Sequence, residues 1–258
     1  SVLDAFQLDG RTALVTGATG GLGEQAAIAL ADAGATVVVT GRREERLNAV
    51  VDRIRALGGS ARARVLDMTD AAAVRATLAE AAAESGHLDV LVNNAAQAHQ
   101  ADLLEITDAQ WAGIVEVNLT AVFTASQQFV RLHSEAGDAT RPASIVNIAS
   151  LAATIGVRGQ AAYVASKSGV AGLTRALALD TARTGLRVNA LSPGYFATDM
   201  PGEVLADEAA TAALLKKIPM RRIGEPAEIG PAVVFLASDA SRYMTGAIIN
   251  FDGGYTAA

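Results

Sequence analysis

The stretch Thr12-Ala13-Leu14-Val15-Thr16-Gly17-Ala18-Thr19-Gly20-Gly21-Leu22-Gly23 decides the fold. Its first five residues are β-branched or apolar, as in a short buried strand. Four glycines follow within seven residues, and an alanine-rich run then continues to Ala33 and closes at Gly34. Strand, glycine loop and helix in that order make the phosphate-binding corner of a βαβ unit. Glycine lets the backbone approach a pyrophosphate, and the helix N-terminus favours its negative charge.

Further short Val/Ile/Leu-rich runs lie at 36–40, 63–66, 90–93, 144–148, 187–191 and 247–251. They are mostly unalternated, as strands covered on both faces of a parallel sheet are. Helical stretches at 23–33, 44–57, 71–85, 108–136, 163–183 and 226–238 separate them. This alternation predicts an α/β chain: a Rossmann-type, doubly wound, mostly parallel seven-stranded sheet with helices on both faces. One dinucleotide-binding domain over 1–258 is expected, with a substrate loop at about 194–217 that holds a short helix near 209–217.

A second signal lies downstream. Tyr163 and Lys167 stand four residues apart, and Ser150 precedes them by thirteen. Spacing of four places Tyr163 and Lys167 on one helix face. An ammonium beside a phenol favours the phenolate, which predicts a lowered tyrosine pKa. A serine hydroxyl nearby could hold a carbonyl oxygen against that phenol. A lone Tyr-x-x-x-Lys is weak evidence. However, Lys167 is set apart from the chain's other lysines, the adjacent and solvated Lys216 and Lys217.

Composition narrows the function classes. The chain has 258 residues, 51% hydrophobic and 19% charged, so it can bury a full core. Net charge is −6, and no basic stripe points to nucleic acid. There is no cysteine, which excludes disulfides, cysteine–metal sites and thiol catalysis. No apolar run approaches the roughly 18 residues of a membrane span. Residues 1–10 carry two aspartates and no basic residue, unlike a signal peptide. A cytoplasmic location is expected. Three scattered histidines make no metal site. Of these, His87 is expected exposed, His133 lies near a helix end, and His99 follows the Asn93-Asn94-Ala95-Ala96 run as a weaker pocket candidate. Trp111 is expected in the core.

Taken together the motifs resemble the classical short-chain dehydrogenases/reductases, closest in look to the 3-oxoacyl-carrier-protein reductase and gluconate 5-dehydrogenase-like members. The resemblance rests on Thr16-Gly17-x-x-x-Gly21-x-Gly23, Asn93-Asn94-Ala95-Ala96, Asn118, Ser150, Tyr163-x-x-x-Lys167, and Pro193-Gly194 with Thr198. It covers essentially the whole chain. Ala96 departs from the family's glycine, a change of one methyl group.

The resemblance implies four catalytic residues. Tyr163 is the general acid for reduction and base for oxidation. Lys167 lowers its pKa and binds the nicotinamide ribose. Ser150 holds the substrate oxygen, and Asn118 binds a water that links Lys167 to solvent. It places Gly17, Thr19, Gly21, Leu22 and Gly23 at the cofactor's phosphates. Asp67 falls at the adenine, Asn93 supports the adenosine side and the central strand, and Met68, Asn94 and Ala95 also bind the cofactor. Pro193, Gly194, Phe196 and Thr198 fall at the nicotinamide. Gly41 stands where NAD enzymes carry an acid for the ribose hydroxyls, and Arg42 and Arg43 follow. A small residue before arginines suits a 2′-phosphate, so NADP(H) is favoured and NAD(H) left open. Gly20 stands where many NADP-using relatives carry a basic residue.

The predicted partner is a small ketone or secondary alcohol, held by Ala152, Gln160, Tyr195 and Met200. An acidic carrier protein would need basic residues at the mouth. Arg131 fits, but Leu179 takes the matching place on the second long helix. Lys216, Lys217, Arg221 and Arg222 form a separate basic group. A non-catalytic dinucleotide-sensing protein is a second reading, disfavoured because all four catalytic residues are kept. An isomerase or dehydratase would carry a larger C-terminal region. The resemblance also implies a homotetramer, built on the two long helices and Phe251-Asp252-Gly253-Gly254.

Overall fold

The computed structural model describes residues 1–137, 141–198 and 208–258. Seven strands, all paired in parallel, form one sheet: β1 Thr12–Val15, β2 Thr36–Gly41, β3 Ser60–Val65, β4 Val90–Asn93, β5 Ala143–Ile148, β6 Leu186–Pro193 and β7 Ile248–Phe251. Their order is β3-β2-β1-β4-β5-β6-β7. The chain winds outward from β1 to one edge, then crosses back and winds to the other. Such a reversal opens a crevice at the carboxyl ends of β1 and β4.

The described helices are α1 Gly21–Asp32, α2 Glu44–Ala56, α3 Ala71–Ser85, α4 Asp108–Val115, α5 Ala121–Glu135, α6 Ala161–Thr181, α7 Glu208–Lys217 and α8 Ile229–Ala237. They cover both faces of the sheet, and alternation along the strands divides the core between them. Ala13, Val15, Val37 and Val39 pack with α1, α2 and α8. Leu14, Val38 and Leu91 pack with α3, α5 and Ala178 of α6. Local chemistry sets the ends. Asp70 accepts from the backbone N–H of Ala72 and Ala73 at 3.0 and 2.9 Å, and Gly86 closes α3 at φ 78°.

Two expectations on the elements are corrected. The third strand begins at Ser60, three residues before the apolar run. Its Ser-Ala-Arg-Ala-Arg-Val alternates because β3 is an edge strand with one wet face. The helix expected over 108–136 is interrupted by a π-helical turn, Glu116–Thr120, that carries Asn118. Hydrophobic period does not resolve one inserted residue, and such turns recur at functional sites.

Two side chains also differ. Trp111 is 43% exposed on α4, so it is not core. His87 is half-buried and pairs with the buried Asp89, Nδ1 to Oδ2 at 2.9 Å. Asp89 takes the Thr12 N–H and Arg141 as well, at the opposite end of the sheet from the crevice.

Candidate active site

The crevice is floored by the β1–α1 loop, and its shape requires glycine at particular places. Gly17 lies at φ +65°, and a Cβ there would come within 2.7 Å of the Ala95 Cα. A Cβ on Gly23 would fall 2.3 Å from Asn94 Nδ2 and 2.4 Å from the Gly17 carbonyl oxygen. Asn94 clamps the loop. Its Nδ2 donates to the carbonyls of Thr16 at 3.0 Å and Gly17 at 2.9 Å. Its N–H and that of Ala95 donate to Thr16 Oγ1. The unpaired N–H groups of the first turn of α1 therefore face a preformed cradle.

One end of the crevice is basic. Gly41, Arg42 and Arg43 leave β2 together, and Arg43 donates from Nη2 to Thr19 Oγ1 at 2.9 Å. Asp67 lies opposite. Its carboxylate accepts from Thr69 N and Oγ1, both at 2.9 Å, which holds its pKa below the ordinary range; the charge of Arg42 adds to this.

The other end is the candidate reacting centre. Ser150 follows β5 and caps a short turn, its Oγ accepting from Ala152 N at 3.1 Å. Tyr163 and Lys167 come from successive turns of α6. Burial raises the Tyr163 pKa above its ordinary value, while a hydrogen bond with Ser150 pulls it partly back. Burial lowers Lys167 to about 8. The expectation of a lowered tyrosine pKa is thus corrected for the free protein. Lys167 Nζ donates to the Ile148 carbonyl at 2.8 Å and stands 5.7 Å from the centre of the Tyr163 ring. Its charge is engaged on the strand end, and desolvation dominates the phenol.

Asn118 has no exposed surface. Its Oδ1 accepts from Gln97 N at 2.7 Å, and its Nδ2 donates to Gln97 O at 2.8 Å and Ser166 Oγ at 3.1 Å. Ser166 in turn donates to the Tyr163 carbonyl at 2.8 Å. Both amide protons are taken by protein, so the side chain bolts the 96–101 segment to the turn of α6 that bears Tyr163. Its side-chain amide is engaged in these interior hydrogen bonds.

These ends belong to one cleft of about 950 Å³. Its wall contains Gly17, Thr19, Gly21, Leu22, Arg42, Arg43, Asp67, Met68, Asn94 and Ala95. It also contains Ser150, Ala152, Gln160, Tyr163, Lys167, Pro193, Gly194, Tyr195, Phe196 and Thr198. Gly23 and Asn118 lie behind that wall as its supports. Met200 lies outside the described residues. Thr198 sits over Gly21, its Cγ2 placed 3.3 Å from where a Cβ would be. Tyr195 packs on Tyr255 of the last turn, ring centres 5.7 Å apart, and burial raises its pKa, helped by Tyr255 and Tyr163.

The wall also includes residues that the sequence motifs did not flag, among them Gln97, Gln100, Val157 and Arg158. They lie in two irregular segments without periodicity. Only their positions, next to Asn94 and between Ser150 and Tyr163, point to them. His99, the weaker candidate, is on the wall too. Among the described residues no group of three or more His, Cys, Asp or Glu could hold a metal, and no helix is long and apolar enough to cross a membrane.

Fold and cleft together define a Rossmann-type protein whose cleft holds a glycine loop and two arginines at one end and Ser150, Tyr163 and Lys167 at the other. The family model described as enoyl-(acyl carrier protein) reductase matches residues 17–256. The 2-dehydro-3-deoxy-D-gluconate 5-dehydrogenase of Escherichia coli K12 is 38% identical over 256 residues, 99% of each chain. The 3-oxoacyl-(acyl-carrier-protein) reductase of Thermotoga maritima is 37% identical over 249 residues, 96% of this chain and 99% of the relative. The structure of a gluconate 5-dehydrogenase from Burkholderia cenocepacia J2315, in complex with NADP and tartrate, superposes with TM-score 0.94 at 37% identity over 100% of both chains. The chain belongs to the short-chain dehydrogenase/reductase family. It is an oxidoreductase of the alcohol–ketone class.

Proposed function

We propose that the protein is an NADP(H)-dependent oxidoreductase that interconverts a small ketone and its secondary alcohol. The observation that carries this reading is one cleft with a glycine cradle and two arginines at one end and Ser150, Tyr163 and Lys167 at the other. The cradle fits a dinucleotide because the side chains that would fill it are absent at Gly17 and Gly21. When bound, the cofactor supplies or accepts the hydride. Arg42 and Arg43 would hold a ribose 2′-phosphate in charge-assisted hydrogen bonds. Solved relatives, the B. cenocepacia enzyme among them, contain NADP.

Tyr163 delivers the proton to the ketone oxygen in reduction and takes it back in oxidation. A phenol held above its ordinary pKa is protonated at neutral pH, which is the form reduction needs. Ser150 donates a hydrogen bond to the same oxygen and stabilises its growing charge. Lys167 Nζ gives one of its three donors to Ile148, so the others would meet the ribose hydroxyls while its charge lowers the phenol's pKa for oxidation. Asn118 is a positioning residue that fixes the Tyr163 turn. Ala152, Gln160 and Tyr195 contact the substrate.

The test is NADPH and NADH turnover over a panel of a 3-oxoacyl thioester, 5-ketogluconate and aryl ketones, with Tyr163→Phe alongside. Turnover should collapse by at least a hundredfold in the variant while NADPH affinity is retained. Persistence of turnover would remove the tyrosine from the mechanism.

A homotetramer is part of this proposal. The exposed Trp111, Phe123 and Leu179 on α4, α5 and α6 would be covered in it. A particle of 26.3 kDa by light scattering at micromolar concentration would refute it. Residence in the cytoplasm is proposed with it, from the membership of a family with no need of disulfides.

A further inference from the structure

The reacting half of the cleft carries a charge that the proton chemistry does not use. Arg158 lines the cleft on the turn between Ser150 and Tyr163, and it is exposed at the mouth. Among the described residues it has no ion pair and no hydrogen-bond partner. Other arginines are engaged: Arg11 with Asp239, Arg53 with Glu24, Arg222 with Glu228. The cleft's remaining arginines, Arg42 and Arg43, belong to the ribose end. The described wall holds one acid, Asp67, and it too lies at that end.

The turn that carries Arg158 is anchored. The Gly159 carbonyl accepts from Ala101 N at 3.0 Å, and Gln160 N donates to the Val157 carbonyl at 3.2 Å. Gly159 lies at φ +74°, and Gln100 packs so close that a Cβ there would meet its Cγ at 3.1 Å. The backbone of the turn is therefore fixed beside Gln100 and Ala101, and Arg158 projects from it at the mouth.

His99 adds a donor. Gln110 Oε1 accepts from Thr107 N at 2.9 Å and Thr107 Oγ1 at 3.0 Å in the capping box of α4. The amide can therefore offer only its NH₂ to His99 Nε2, at 2.9 Å. The ring nitrogen that accepts is Nε2, so the neutral ring carries its proton on Nδ1. The cleft wall here thus carries a cation, the His99 imidazole and the amide of Gln160, together with apolar Ala152 and Val157.

We propose that the substrate carries a carboxylate at the end remote from its reacting carbon, and that Arg158 receives it: the substrate is a hydroxy acid or the matching oxo acid. This rests on the oxidoreductase reading above. A carboxylate keeps part of its hydration at an open mouth and gains a charge-assisted pair there. The same group placed beside Tyr163 would be desolvated. The uncharged carbinol end then reaches Ser150 and Tyr163. Arg158 acts as a specificity residue and leaves proton transfer alone.

The experiment pairs D-gluconate with D-sorbitol and 5-keto-D-gluconate with L-sorbose, the ketone that oxidation of sorbitol at the same carbon gives, in the wild-type enzyme, Arg158→Ala and Arg158→Lys. The acid-over-neutral ratio of kcat/KM should exceed one in wild type and fall about tenfold in R158A, through KM, with partial rescue in R158K. Calorimetric binding of D-gluconate and D-sorbitol to the enzyme–NADP⁺ complex gives the same ratio without turnover. Failure of every substrate to turn over, with the binding ratio still dependent on Arg158, would sink the oxidoreductase reading and keep the carboxylate site. A ratio unchanged in R158A, with NADPH affinity intact, would overturn the carboxylate site alone. So would an equal loss on a neutral N-acetylcysteamine 3-oxoacyl thioester.

Discussion

Gly23→Ala adds one methyl group at a point where the structure has no room for it. That methyl would lie 2.3 Å from Asn94 Nδ2 and 2.4 Å from the Gly17 carbonyl oxygen. It would sit inside the hydrogen bond that joins those two atoms at 2.9 Å. Either Asn94 swings out or α1 moves away from the loop. Losing the two Asn94 bonds to Thr16 and Gly17 costs about 1 kcal/mol each. Overpacking adds about 1–3 kcal/mol, so the total is about 3–5 kcal/mol. That is a large share of the about 5–15 kcal/mol that holds a typical domain together. Gly20→Ala, three residues earlier, is the control: nothing lies within 4 Å of its Cβ and the backbone is extended. It should change stability by less than about 0.5 kcal/mol. Urea unfolding of the free protein would read the midpoint, and NADPH fluorescence titration would read the cradle. A G23A variant within about 1 kcal/mol of wild type, with unaltered NADPH affinity, would refute the close-approach argument.

Three other substitutions test the rest of the cleft. Lys167 is neutralised more easily folded than unfolded, with a pKa near 8 against 10.5. Between those values the unfolded chain binds more protons, so stability contributed by this group rises with pH. The stability of wild type minus that of Lys167→Met should therefore grow by about 3 kcal/mol from pH 8 to 10.5, measured by urea unfolding; a flat difference would contradict the burial of this amine. Gly41→Asp places a Cβ 2.7 Å from Thr19 Cγ2 and a negative charge beside Arg42. It should displace Thr19 from Arg43 and lower the NADPH-over-NADH ratio of kcat/KM at least tenfold. Asp252→Ala removes the acceptor for Gly254 N, Thr256 N and Thr256 Oγ1. It should free Tyr255 from Tyr195 and raise KM several-fold, with about 2–3 kcal/mol of local order lost and the last residues opened to limited proteolysis.

Much of this protein is legible in one dimension because its strands are buried on both faces. The runs at β1, β2, β4 and β5 have no polar face to blur them, and four glycines mark the first turn. Tyr163 and Lys167 could be paired from helical spacing alone. Ser150 could be set beside them only by its nearness in sequence, and the role of Asn118 entered through the family resemblance, because the groups it serves are distant in sequence. The start of β3 was hidden because an edge strand alternates, and hydrophobic run length is blind to that. Trp111 was misplaced because its burial depends on what covers α4, and the sequence pattern around it carries no such term.

The sequence by itself determined the parallel sheet, the glycine cradle, the arginines after β2 and the pairing of Tyr163 with Lys167 on one helix. These follow from local periodicity, backbone freedom and charge, which a linear chain displays. Tertiary structure decided the electrostatics. Burial of Tyr163 raises its pKa, and the hydrogen bond with Ser150 only partly offsets this, so the phenol is raised rather than lowered. Asn118 is clamped to Gln97 and Ser166. The turn that carries Arg158 is anchored through Gly159 to Gln100 and Ala101. Each of these depends on which atoms meet across more than ten residues of chain and on how much water is left between them. Packing sets those quantities, and no single segment encodes them.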